Sequence, residues 1–204
     1  MRTARPFNPL DKSQLAESVA KALLDQDPIR LDQTQKFEGA GIYSLYYVGT
    51  FAPYLPCSLK NRGGIFESPI YIGKAVPKGA RKGAGSDDAT VCFALFSRLQ
   101  EHSESISQAY TTLRVCDFFC RYLVTEDIWI PLGESLLINE FSPVWNLVIE
   151  GFGIHDPGSG RYKQKRSAWD VLHPGRPWAS RCSANRITKK ELLESLESHF
   201  KLHR

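Results

Sequence analysis

Two phenols, an arginine–histidine pair and one carboxylate are the side chains whose type and placement suit them to chemistry. Tyr43 lies in the run Gly41-Ile42-Tyr43 and Tyr71 in Tyr71-Ile72-Gly73. Arg98 and His102 are four residues apart, a spacing that stacks two side chains on one side of a helix. Glu134 shares a helical face with Leu137, Ile138 and Phe141. A carboxylate on an apolar face needs a compensating partner, and a divalent cation is one. The alternative is that Glu134 only complements the positive end of its helix. For the tyrosines the alternative is ordinary strand packing with a wet hydroxyl, and for Arg98 and His102 a solvated helix flank.

The elements that must position these groups are readable from periodicity. Residues 41–49 and 69–75 are rich in Tyr, Ile, Val and Leu and are bounded by Gly or Pro, which reads as two strands. If these strands pair, Tyr43 and Tyr71 present their phenols on one sheet surface. Residues 89–105 read as a helix with an apolar face of Cys92, Leu95, Phe96 and Leu99. Arg98 and His102 fall at one edge of that face, able to reach the margin of a sheet without being buried under it. Residues 113–125 form a third strand candidate, and 131–141 a helix with proline in its first turn. Pro143 closes that helix, and Trp145-Asn146-Leu147 follows as extended chain. Residues 11–26 and 188–202 read as further amphipathic helices, and 50–68 as a loop-like insertion between the tyrosine strands. The expected class is α+β: a small central antiparallel sheet of about three strands flanked by helices, with inserted basic loops and N- and C-terminal extensions.

Charge is distributed unevenly. The net charge of +4 over 204 residues is mild, and the 42% hydrophobic and 24% charged content is that of an ordinary globular protein. No apolar run approaches the ~20 residues that span a bilayer, and no apolar stretch follows the N-terminal arginines as in a signal peptide. Five cysteines without framework spacing suggest reduced thiols and a cytoplasmic location. Cys116 with Cys120 lacks a matching second pair, and His199 with His203 reads as a solvated i,i+4 pair on a terminal helix, which weighs against zinc. Lys74, Lys78, Arg81 and Lys82 lie in a Gly- and Ala-rich run without an acid, read as a phosphate-contacting arm with a solvated loop as the alternative. Arg161, Lys163, Lys165, Arg166, Arg176, Arg181 and Arg186 are opposed by Asp170 alone and interleaved with Tyr162, Trp169 and Trp178.

The order Gly-Ile-Tyr, Tyr-Ile-Gly, Arg and His on one helix, Glu on the next, and Asn beyond Pro143 resembles the GIY-YIG nuclease superfamily over residues 40–148. The inserted residues 50–68 are longer than that family's usual turn. A small member with basic insertions is most similar to a type II restriction endonuclease, and Leu-His-Pro-Gly-Arg-Pro-Trp at 172–178 resembles the homodimeric subgroup that cuts CCGCGG. The resemblance implies a single domain of residues 1–204, with a nuclease core at 40–148. An N-terminal helical extension would occupy 1–39, and a basic extension for DNA binding or dimerisation 158–204.

It also implies roles. Tyr43 would be the general base and His102 would take or orient its proton, since a phenol with an ordinary pKa of about 10 is a poor base alone. Arg98 would stabilise phosphoryl charge, Tyr71 would position the water or phosphate, and Asn146 would hold the site by hydrogen bonds to backbone or phosphate. Glu134 would hold one Mg²⁺. Lys74, Lys78, Arg81, Lys82, Arg161, Lys163, Lys165 and Arg166 would contact double-stranded DNA. Arg176 and Arg181 would read guanines in the major groove. A palindromic site implies a homodimer, and a cognate DNA methyltransferase is the expected genetic partner. A repair or homing-type nuclease and a catalytically silent DNA-binding protein are the competing readings.

Overall fold

Four strands in the order β1-β4-β2-β3, all antiparallel, form the sheet of the computed structural model, which describes residues 11–77 and 92–203. Helix α1 (Lys12–Leu24), capped by the Asp11 carboxylate on the Ser13 amide, precedes β1 (Ile29–Arg30). Then come β2 (Gly41–Tyr47), α2 (Leu55–Asn61), β3 (Pro69–Ala75), α3 (Ala94–Gln108), β4 (Phe118–Val124) and α4 (Ile130–Phe141). Three more α-helices follow, α5 (Val144–Leu147), α6 (Ala168–Leu172) and α7 (Lys189–Leu202). The class is α+β as expected. The sheet gains a fourth strand because the two residues Ile29 and Arg30 pair with Cys120 and Phe119, too short a run to leave an alternating signal.

Every residue of β2 is buried, which identifies it as the strand around which both layers pack. Alternation along a strand sends successive side chains to opposite faces. Tyr43, Leu45 and Tyr47 enter the larger core with Leu95, Leu99 and Ile106 of α3, Trp145 of α5, Trp169 and Leu172 of α6, and Leu192 and Leu196 of α7. Ile42 enters the smaller core with Ala20 and Leu23 of α1 and Ile130 and Leu137 of α4. The basic C-terminal region is therefore not an appendage to the nuclease core, since its apolar side chains fill the same interior as Tyr43.

Two motif glycines have steric causes. A Cβ at Gly41 would lie 1.9 Å from the Leu123 carbonyl oxygen, so β4 could not pair there. At Gly73 a Cβ would lie 2.4 Å from Tyr43 Oη, in the space the phenol occupies. Gly-Ile-Tyr and Tyr-Ile-Gly are thus a matched pair: the second glycine makes room for the first tyrosine.

Two sequence expectations change here. The insertion contains helix α2, buried through Cys57, Ser58 and Asn61. The Asn61 amide donates to the Tyr47 and Ser68 carbonyls, and Ser58 donates to that of Gly49, so the insertion satisfies the backbone where β2 ends and β3 begins. Trp145-Asn146-Leu147 is a short helix, α5, rather than extended chain, because Pro143 supplies the extended N-cap from which a helix can restart.

Candidate active site

Register brings the phenols together. Tyr43 stands opposite Gly73, and Leu45 opposite Tyr71, so the two tyrosines are diagonal neighbours on one face with ring centroids 6.2 Å apart. Tyr43 Oη lies 2.5 Å from His102 Nε2, and both side chains are essentially inaccessible to solvent. His102 is thus not at the sheet margin, as the sequence suggested. It lies three residues beyond Leu99 and seven beyond Leu95, so it continues the buried stripe of α3 beneath the sheet, while Arg98 keeps the edge position.

Burial pushes the Tyr43 phenol well above its ordinary range, the Tyr71 phenol adding to the effect and the Arg98 charge opposing it. Burial and then the Arg98 charge hold His102 well below the usual imidazole range, so it is neutral at pH 7 and one ring nitrogen keeps a free lone pair. The phenol is placed to donate a hydrogen bond to that nitrogen, while the two opposite shifts keep the proton on Tyr43 at rest. Tyr71 is also raised by burial, against the Arg98 charge and with the Glu134 carboxylate.

Arg98 donates through Nη2 to the Gly153 carbonyl at 2.8 Å and through Nη1 to Glu101 at 3.2 Å, and meets His155 Nε2. Phe152 stacks on His102 with ring centroids 4.4 Å apart, and approaches Tyr71 edge-on. The segment 151–155 therefore belongs to the site. Its only trace in the sequence is Gly-Phe-Gly-Ile-His beyond Asn146, which carries no periodicity.

Glu134 is the fifth residue of α4, past the first turn, which removes the helix-end reading. Its compensating partner in the structure is Lys74, with Nζ 2.6 Å from Oε2. Asn146 binds backbone: its Oδ1 accepts from the Ile72 amide and its Nδ2 donates to the Ile72 carbonyl, both at 2.8 Å. Among the described residues β3 is an edge strand, so these groups have no strand partner there on that side, and one carboxamide satisfies both.

A groove of about 740 Å³ opens beside this cluster, lined by Tyr71, Arg98, Asn146, Gly153, Lys165 and Arg166 among others. Tyr43 and His102 lie behind Tyr71 and Arg98 and do not line it. Of the expected DNA contacts, Lys165 and Arg166 share the groove with the site, and Lys74 is paired with Glu134. Arg161, Lys163 and Arg181 are exposed but do not line the groove, and Arg181 pairs with Asp156 at 3.3 Å. Lys78, Arg81 and Lys82 lie outside the described residues. Arg176 is a correction: it is 2% exposed, and its guanidinium bonds Asp170 and three backbone carbonyls, leaving no donor for a base edge.

An antiparallel sheet carrying paired tyrosines from two glycine-bounded strands, served by Arg and His on one helix and Glu on another, defines the GIY-YIG class of nuclease. The family model described as the Eco29kI GIY-YIG domain matches residues 35–200, and the chain belongs to that restriction endonuclease family. No curated protein is a significant match. The matched span includes the C-terminal region, in keeping with its share of the core.

Proposed function

We propose that the protein is a Mg²⁺-dependent type II restriction endonuclease. It would act as a homodimer on double-stranded DNA at a short GC-rich palindrome such as CCGCGG, beside a cognate methyltransferase in the cell. The observation that carries the catalytic part is the 2.5 Å contact between Tyr43 Oη and a buried neutral His102 behind a groove faced by Arg98 and Tyr71. That is a route for one proton, set beside a fixed positive charge.

Hydrolysis forms a bond from water oxygen to phosphorus and breaks the bond from phosphorus to the leaving oxygen. Tyr71 and Arg98, which cover Tyr43 in the unbound chain, position the water and must part to let it reach Tyr43 Oη, which takes its proton as Tyr43 gives its own to His102 Nε2. A phenol alone would be too weak a base, because burial disfavours its anion; the concerted transfer avoids a free phenolate. The leaving oxygen takes a proton from solvent, and His102 returns its own to solvent back through Tyr43 Oη once the product leaves, which restores the site. Arg98, held by Gly153 and Glu101, offsets charge on the phosphoryl oxygens. Asn146 fixes β3, and with it Tyr71 and Lys74.

Glu134, a single carboxylate 19% exposed, fits a hard cation that keeps most of its shell as water and phosphate oxygens. When bound, Mg²⁺ supplies neutralisation of phosphoryl charge. Lys74, now on Glu134, would be released to meet a phosphate if Glu134 held the cation. Lys165 and Arg166 contact the strand in the groove, and Arg161, Lys163 and Arg181 extend the positive surface. Lys78, Arg81 and Lys82 are proposed as further phosphate contacts on sequence grounds alone, and base reading falls to Arg181 without Arg176.

Digestion of one DNA of known sequence in Mg²⁺, with the ends mapped, tests the reading. Discrete double-strand fragments with common ends support it, and a Glu134→Gln variant that binds DNA without cutting supports the cation site. Uncut DNA over a range of substrates refutes the function, and retained cleavage by Glu134→Gln refutes the cation assignment.

A further inference from the structure

Arg176 was expected on the DNA; instead it is locked inside the protein. Its Nε and Nη2 each lie 2.7 Å from an Asp170 carboxylate oxygen, Nη1 donates to the Phe152 and Ile154 carbonyls, and Nη2 also donates to that of Gly151. All five donors of the fork are thereby used. The plane stacks against Trp169 and Trp178, at 4.7 and 4.5 Å from the ring centroids. Ser167 Oγ completes the carboxylate at 2.6 Å.

A buried ion pair is a poor route to stability, since apolar side chains of the same volume do as well. What this pair does provide is direction. The three carbonyls it claims belong to the four residues 151–154, whose opposite side touches the candidate active site at three places. Phe152 stacks on His102, the Gly153 carbonyl accepts from Arg98, and a Cβ on Gly153 would lie 2.8 Å from Tyr71 Oη. The segment is braced at its other end too: Gly151 has φ +103°, and a Cβ there would meet Ser167 Cβ at 2.2 Å. Arg176, Asp170 and Ser167 thus form one side of a wall whose other side orients the phosphoryl-binding arginine and the proton acceptor.

We propose that Arg176, with Asp170, is a positioning residue for catalysis, acting through the segment 151–154 on Arg98, Tyr71 and His102. The proposal rests on the nuclease reading for its rate effect but not for its geometric effect. In Arg176→Lys the ammonium keeps its charge beside Asp170 but loses the planar fork, so the carbonyls can no longer all be held.

The test compares wild type, Arg176→Lys and Asp170→Asn by four measurements. These are thermal unfolding, DNA affinity in Ca²⁺, single-turnover cleavage at saturating DNA in Mg²⁺, and the NMR signals of the His102 ring, which the Phe152 ring current shifts. The expected result is a folded Arg176→Lys with affinity within about 2-fold of wild type, cleavage at least about 10-fold slower, and displaced His102 signals; Asp170→Asn changes in the same direction. Folded variants with unchanged rate and unmoved His102 signals would overturn the proposal, as would weaker cognate affinity with an unchanged rate at saturation, the mark of a base reader. If Arg176→Lys does not fold, Asp170→Asn carries the same readouts. Should wild type cut no DNA, the nuclease reading falls, and the His102 signals alone still decide the positioning role.

Discussion

Replacing Tyr43 by Phe removes one oxygen atom from the centre of the molecule, and the structure gives separate magnitudes for stability and rate. The ring stays, because its packing on Tyr71 and His102 does not involve the hydroxyl. What is lost is the partner of His102 Nε2, 2.5 Å away in a site closed to water. A buried group left unpaired costs about 1–3 kcal/mol, a fraction of the roughly 5–15 kcal/mol that holds a typical domain together. For a chain of this size that is a fall of about 2–12 °C in Tm, so the variant should fold.

The rate should respond far more. A positioned base contributes roughly 10²–10⁴-fold, or about 2.7–5.4 kcal/mol of barrier. Single-turnover cleavage of a plasmid with enzyme in excess should therefore slow by at least about 100-fold, while a gel shift in Ca²⁺ shows DNA affinity unchanged. His102→Gln should fall by a similar factor. The double variant should be no worse than either single one, because both break the same transfer. A folded Tyr43→Phe that cuts within about 3-fold of wild type, some 0.6 kcal/mol, refutes the relay. So does full additivity in the double variant.

Three other outcomes follow from Gly73, from Asn146 and from the buried His173, whose ring lies 2.6 Å from Tyr54 Oη and 2.8 Å from Thr112 Oγ1. Gly73→Ala places a methyl 2.4 Å from Tyr43 Oη, and the resulting overpacking should cost about 1–3 kcal/mol in urea denaturation and displace the phenol, reducing cleavage with it; wild-type stability and rate would show that the space is not needed. Asn146→Ala frees both Ile72 backbone groups, so exchange protection of the Ile72 amide should fall and stability drop by about 1–3 kcal/mol; unchanged exchange would refute the bracket. Burial holds His173 at a pKa of about 3 against about 6.5 unfolded, so below pH 6.5 the unfolded chain takes up a proton that the folded chain refuses. Stability from this residue is complete above that pH and lost on acidification, about 2 kcal/mol between pH 7 and 5, with His102 acting in the same direction. Urea melts at the two pH values measure the difference, and a His173→Phe variant that keeps the full pH dependence would remove His173 as its source.

Much of the fold and site was legible because it rests on local periodicity. Tyr, Ile, Val and Leu between Gly and Pro bounds mark the two strands around Tyr43 and Tyr71, while the register that sets Tyr43 opposite Gly73 comes only from the structure. Leu95 and Leu99 mark the helix that carries Arg98 and His102, and Leu137 and Phe141 the one that carries Glu134. The short strand Ile29–Arg30 and the helices α2 and α5 were missed because each is too brief to repeat a period, and each is held by partners distant in the chain.

Sequence by itself determined the strands and helices that bear Tyr43, Tyr71, Arg98, His102 and Glu134, since these follow from the order of side chains along a strand or helix. Only tertiary structure decided burial and pairing. It placed His102 under the sheet against Tyr43, gave Glu134 to Lys74, turned Asn146 onto the backbone of Ile72, and took Arg176 from the DNA face into the interior. The physical reason is that a cation in a sequence looks the same whether water or a protein carboxylate will surround it. Asp170, the one acid in the basic stretch, made that choice for Arg176 only once α6 had packed into the core.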